Sequence, residues 1–372
     1  MKISRLSVAA CAAAASLSLG LSACAANEGG AAAEPAASGS AGAASLSGTL
    51  SGVGASSAAT AQETWAASFQ TANPDVTVNY SPDGSGAGRD AFAGGGADFA
   101  GSDRALTAEE ASAASLGSSR CADGSAAVNL PVYVSPIAVI YNLEGVEDLK
   151  LDAETLAGIF KGDITTWDDD RIKALNEGAS LPATNITAVH RADDSGTTEN
   201  FTDYLHTVAP SVWNAEPDGE WPYEGGEAAP QTSGVVDAVS NGNGTIGYAD
   251  ASKAGELSVA QIQVGEAFAG PTAEAAAAVV DNSPRDTEGR SASDIVVTID
   301  RLAEGEVYPI VLLSYAIACE KYEDPATAAK VKAYMSYIAS AKGQQDAVAT
   351  AKMAPLSEEL SAEVEAAAAK IS

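Results

Sequence analysis

Residues 190–201 read HRADDSGTTENF, which sets one arginine, two aspartates and three hydroxyl side chains around a glycine. Three chemistries suit such a set. The first is a nucleophile triad drawn from His190, Asp193 and Ser195. Working triads gather their members from separate parts of a fold, and a single strand-to-helix turn rarely brings neighbours into line. The second is a metal site, but the chain has only His190 and His206 and no C-x-x-C pair, too little for transition-metal ligation. The third is an anion cradle. A helix N-terminus leaves backbone N–H groups unpaired and carries a partial positive charge, so it holds an anion even without a cationic side chain. Here Arg191 adds a planar fork that can engage two oxygens together.

The same design recurs in "GVGASS" (52–57), "DGSGAG" (83–88) and "GSD" (101–103), where a strand-like run gives way to small and hydroxyl residues. Glycine lets backbone approach a ligand closely, and Ser and Thr add donors. One such turn is commonplace; four in an acidic chain point to an anion. Rival motifs fit poorly. "GSGAGR" (84–89) places Arg89 where a dinucleotide fingerprint needs Gly or Ala. The chain has neither GxxxxGK[ST] nor GxSxG.

Elements must carry these turns to one place. Strands are expected at 46–54, 76–81, 97–102, 132–142, 186–191, 245–250, 294–300 and 308–318. Several are continuous apolar runs, as in strands covered on both faces. Helical patterns fall at 61–72, 153–162, 198–208, 325–343 and 357–371. Alternation of this kind predicts an α/β chain, and a body of this size exceeds one comfortable core, which predicts two lobes.

The N-terminal stretch reads as a secretory leader over 1–23: Lys2 and Arg5, then the apolar run "LSVAACAAAASLSLGL". It closes on "LSAC" (21–24), which resembles a bacterial lipobox with Cys24 as the lipidated residue. Residues 24–45 are an Ala/Gly/Ser tether that cannot order itself, with a root-mean-square reach of about 25 Å. The remaining cysteines, Cys121 and Cys319, are expected to pair if the chain works in an oxidising compartment. With 20 basic against 50 acidic residues and a net charge of −30, nucleic acid is excluded as a partner. An anion must then be held by short-range hydrogen bonds, not by long-range attraction.

In order along the chain come "GVGASS", "NYSPDGSGAGRDAF", "ADFAGSDRAL", "LPVYVSPIAVIYNL", "IFKGDITTWDD", "VHRADDSGTTENF", "GTIGYAD" and "YPIVLLSYAI". From about residue 48 to 350 this series resembles the phosphate-binding lipoprotein of the phosphate-specific ABC transporter. The resemblance implies a two-lobed, type II periplasmic-binding-protein (Venus-flytrap) fold. It also implies a non-catalytic, lipid-anchored receptor on the extracytoplasmic face of the cell membrane. Such a receptor captures inorganic phosphate and delivers it to membrane permease and ATPase subunits; it is expected to be monomeric and to need no cofactor or metal. Carried over position by position, it assigns phosphate to Ser56 and Ser57, Ser85, Asp103, Arg191, Ser195, Gly196 and Thr197. Ser57 stands where many relatives carry an aromatic residue. Asp193 and Asp194 are expected to steady the arginine and its loop.

An aspartate among anion ligands makes sense once protons are counted. A carboxylate only accepts, and phosphate at neutral pH still carries an O–H, whereas sulfate does not. A site built around a ligand's proton can reject the analogue lacking it by about 10⁴-fold. The lobes are expected at 46–132 plus 308–372 and at 133–307, with "LPVYVS" and "EVYPIV" as hinge strands. Two other functions compete: a receptor for sulfate or molybdate, and a secreted phosphoester hydrolase with a serine nucleophile.

Overall fold

The computed structural model describes residues 46–372; the expected leader, Cys24 and the tether lie outside them. A nine-stranded mixed sheet organises the chain. Its strands run across in the order Val76–Ser81, Gly48–Gly54, Phe99–Ser102, Val311–Cys319, Ala127–Asn142, Thr245–Asp250, Thr187–Arg191 and Glu227–Ala229. The short strand Ser258–Val259 also pairs with Ala127–Asn142. The outer neighbours are parallel on both sides, and the strands are joined through helices as parallel pairing requires.

The two central strands decide the architecture. Ala127–Pro136 pairs antiparallel with Val311–Cys319, and Ile137–Asn142 pairs with Thr245–Asp250. One continuous strand therefore serves two halves of the sheet, and residues 127–141 are buried throughout. This explains the unbroken apolar run that the sequence shows. Two lobes form around these crossing strands. The partner exchange falls at Pro136–Ile137, where Ile137 N–H donates to Ile310 O at 2.7 Å. The register between the crossing strands shifts between Ser314 and Tyr315, an irregularity of the kind that re-aims a side chain.

Helices clothe both faces. Ala59–Ala72 buries Trp65 and Phe69, one turn apart, and Trp65 Nε1 donates to Gly343 O at 2.7 Å. Gln231–Asn241 packs Val235 and Val239 against Val189 and Ile140 in a second, smaller core. Cys121 and Cys319 are bonded to each other, tying the far end of Val311–Cys319 to the segment before Ala127–Asn142. Among the described residues no helix is long and apolar enough to cross a membrane.

Four local expectations change, the first being the helix expected over 325–343, which ends at Ala339, where Ser340 caps a second helix, Ala341–Ala351. The strand expected over 294–300 is reduced to Val296–Val297, paired with Arg285–Asp286. The pairing gains one more bond, Thr298 N–H to Pro284 O, but Pro284 has no N–H to return and Asp300 N–H goes to Ser283 Oγ instead. The strand expected from 132 begins at Ala127. The helix expected from 198 begins at Gly196, because Ser195 supplies the cap.

Candidate functional site

The strand Thr187–Arg191 carries Arg191 at its C-terminal end, and the helix Gly196–Val208 starts five residues later. Between them Ser195 is extended (φ −126°, ψ 118°), and its Oγ accepts from Thr198 N–H at 3.3 Å. That hydroxyl satisfies one of the unpaired amides of the first turn. Phe201, Tyr204 and Leu205 then bury the inner face of the helix, with Phe201 stacked on Tyr248 at 4.3 Å. Tyr248 also holds the loop from below: its hydroxyl meets Thr198 Oγ1 at 2.7 Å and accepts from Arg191 N–H at 3.2 Å.

Opposite stands the helix Ser85–Ala93, entered through Gly84 at φ 107°. Only glycine adopts that conformation readily, and a Cβ there would lie 2.6 Å from Asp193 Oδ2. Ser85 Oγ accepts from Asp103 N–H at 3.1 Å. Asp103 is the meeting point. Its carboxylate receives Ser57 Oγ at 2.7 Å on each oxygen, Thr197 Oγ1 at 2.9 Å, and Ser314 Oγ from the shifted register of the crossing strand. Its carbonyl receives Asn200 Nδ2 at 2.7 Å. Gly196 lies so close that a Cβ there would meet Asp103 Cβ and Ser85 Oγ at 2.8 Å.

The charges are arranged in pairs. Asp193 grips Arg191 through Nε at 2.9 Å and through Nη2, while also accepting from Gln231 N–H at 2.9 Å. Burial opposes ionisation of Asp193, but the hydrogen bonds and charge of Arg191 and that amide outweigh it and hold the carboxyl below its ordinary range. Farther along the helix, burial lifts Glu199 to about 7, although Arg104 and Arg89 pull the other way. Arg301 is buried, its basicity lowered by desolvation. It ties Asn200 to the crossing strand, donating to Asn200 Oδ1 at 2.6 Å and to Val311 O at 2.7 Å. Among the described residues no three His, Cys, Asp or Glu side chains gather as a metal cage.

All the expected site residues but Ser56 are gathered around Asp103. Ser57, Ser85, Asp103, Gly196 and Thr197 touch one another, and Arg191 and Ser195 border them through the same loop. Ser56 points elsewhere: its Oγ bridges to Thr232 Oγ1 at 3.0 Å and accepts from Thr232 N–H at 3.2 Å. The pair Asp193 and Asp194 divides: the first steadies Arg191, the second reaches Arg89. Sequence reasoning gave no role to Ser314, Asn200, Tyr248 and Thr232; Asn200 lies within the opening stretch and Tyr248 within "GTIGYAD", but their long-range partners leave no local signal. A cleft of about 710 Å³ opens beside Asp103 and is lined by Arg104, Glu199, Asn200 and Arg301. Its walls do not include Ser57, Ser85 or Arg191, which are all buried.

Chemically, the cradle offers hydroxyls, a helix N-terminus, an arginine fork and one carboxylate acceptor, the equipment for a small anion that bears a proton. Residues 39–342 match the PBP superfamily domain. The chain is 39% identical over 292 residues to the phosphate-binding protein PstS3 of Mycobacterium bovis, covering 77% of each chain. It is 32% identical to the phosphate-binding protein PstS of Methanocaldococcus jannaschii, covering 74% of each. In fold it is similar to a high-affinity periplasmic phosphate-binding protein solved with phosphate, at a TM-score of 0.70 and 23% identity, over 86% of this chain and 93% of that one. A phosphate-bound binding protein from Clostridium perfringens gives 0.58 at 19% identity, over 83% and 100%. With the superfamily domain spanning most of the chain and relatives of this identity, the chain belongs to the PBP superfamily and, within it, to the PstS phosphate-binding proteins.

Proposed function

We propose that this protein captures inorganic phosphate between its two lobes, outside the cytoplasm, and delivers it to the membrane subunits of an ABC importer. The observation that carries this reading is the ring of hydroxyls on Asp103. They aim a carboxylate acceptor into a cradle otherwise made of donors. Phosphate would meet Ser57, Ser85 and the amides of Gly196 and Thr197, with the Arg191 fork set beside them by Asp193, and its own O–H would donate a hydrogen bond to Asp103. Sulfate has no proton to give and would set two acceptors against each other. No group here is asked to break a bond, so the protein acts as a receptor.

The lobes follow the sheet. In this reading 46–132 plus 308–372 build the first and 133–307 the second, except that 285–297 packs on the first, where Ile295 N–H donates to Asn129 O at 2.9 Å and Val297 N–H to the Tyr315 hydroxyl at 3.2 Å. Donors from both meet only when the lobes are closed, so phosphate favours closure. Anchoring through a lipid on Cys24 and action as a monomer complete the proposal. Calorimetry tests it: phosphate and sulfate are titrated at neutral pH into purified wild-type protein and Asp103→Asn. Tight phosphate binding with no measurable sulfate binding, and a narrowed preference in the variant, is the expected outcome. Equal binding of both anions would transfer the protein to the general oxyanion receptors.

A further inference from the structure

We infer that Asp194 is the bolt of an interlobe latch, and that this latch sets how long phosphate stays bound. The inference rests on the phosphate reading above. Asp194 immediately precedes Ser195, yet its carboxylate turns to the other lobe, where it meets Arg89 Nη2 at 2.9 and 3.2 Å. Arg89 belongs to the helix Ser85–Ala93, and its other arm donates to Ser102 Oγ at 3.2 Å, next to Asp103. The backbone joins in, since Gly86 N–H donates to Asp194 O at 3.2 Å.

The receiving slot is built from one glycine of each lobe. A Cβ on Gly86 would lie 2.3 Å from Asp194 Oδ2, and a Cβ on Gly219 would lie 2.1 Å from Oδ1. A side chain at either position would evict the bolt. The adjacent carboxylates therefore serve different arginines: Asp193 stays within its own lobe on Arg191, whereas Asp194 crosses. A second tie, Arg104 Nε to Glu199 Oε2 at 3.2 Å, crosses beside the cleft. Contacts of this kind exist only when the lobes meet, so their free energy is added to closure and reaches phosphate through the closed population. Because closure follows capture, the effect falls on release. Arg89 is 10% exposed and Asp194 42% exposed, so salt screens the pair.

Stopped-flow release of phosphate is measured for wild type, Asp194→Asn, Arg89→Met and the double variant, at low and at molar salt. Each single change is expected to speed release by about three- to tenfold, as for a partly shielded charged pair. Association should stay within about twofold, and the double variant should match the singles. The difference should shrink in high salt. Unchanged release, losses that simply add, or an effect confined to association would each overturn the latch. Ligand-free melting temperature reports folding; if Asp194→Asn lowers it, Arg89→Met carries the test from the opposite lobe. A wild type that takes no phosphate sinks the proposed function alone. Small-angle scattering then decides the latch, which demands more open variants and fails if their dimensions match wild type.

Discussion

Gly196→Ala separates the cradle from the fold, because the two respond with opposite sign. Gly196 opens the helix Gly196–Val208, and alanine is the better helix former there by up to about 1 kcal/mol. The added methyl, however, would sit 2.8 Å from Asp103 Cβ and from Ser85 Oγ. Carbon atoms rest about 3.5–4.0 Å apart, so closure would stop about 0.7–1.2 Å short. The Thr197 Oγ1 to Asp103 bond, 2.9 Å long, would pass beyond hydrogen-bond range. Asn200 Nδ2 to Asp103 O, at 2.7 Å, would stretch to the limit. One bond to a charged group and one neutral bond together contribute about 2–4 kcal/mol. That is about 30- to 1,000-fold in phosphate affinity. Calorimetry gives the affinity, and a ligand-free thermal melt gives the fold. Affinity within threefold of wild type, or an affinity loss matched by a lower melting temperature, would refute the reasoning.

Other outcomes follow from the same geometry. Glu199 keeps its proton to about 7 in the folded chain, against an ordinary 4.5, so wild-type stability should fall as pH rises through that interval. The shift is worth at most about 3 kcal/mol, less for a side chain 25% exposed; Glu199→Gln should remove that part of the slope. Denaturant titrations at pH 5 and 8 decide this, and parallel losses in both proteins would count against it. Replacing Cys121 and Cys319 by serine frees a loop of sequence separation 198, which should cost about 3–5 kcal/mol. A reductant should lower the melting temperature of wild type and leave the double variant unmoved; an unmoved wild type would deny the bond its role. Asp103→Asn should narrow the preference for phosphate over sulfate by at least about tenfold, and an unchanged ratio would remove Asp103 from the selective step.

Much of this was legible where chemistry and chain order coincide. The strand ending at Arg191, the turn offering Ser195 and the helix beyond it are local, and local rules found them to within two residues. Ser57, Ser85 and Asp103 were visible as hydroxyl or acidic residues at strand ends. Long-range contacts were not. Ser314 reaches Asp103 only because the register slips beside it, and an apolar run conceals a slip. Ser56 carries the same hydroxyl as Ser57, but whether it faces Asp103 or Thr232 depends on how a helix 176 residues away is packed. The Arg89–Asp194 crossing was invisible for the same reason: sequence shows two charges, not the two glycines that make room for them. The strand expected over 294–300 failed because apolar periodicity does not reveal which amides have already been claimed.

The chain finishes its first lobe last. Val311–Cys319 lies between Phe99–Ser102 and Ala127–Asn142, strands made about 200 residues earlier. Until it arrives, the early part of the molecule is two half-sheets with facing, unfilled edges, and Cys121 has no mate. The intervening segment can complete most of its own hydrogen bonding first. Assembly should therefore run inside out along the sequence, middle before ends, with a late insertion step of the slow, non-local kind. A product cut short before Val311 would not be a trimmed receptor. It would be an exposed pair of edges inviting another strand.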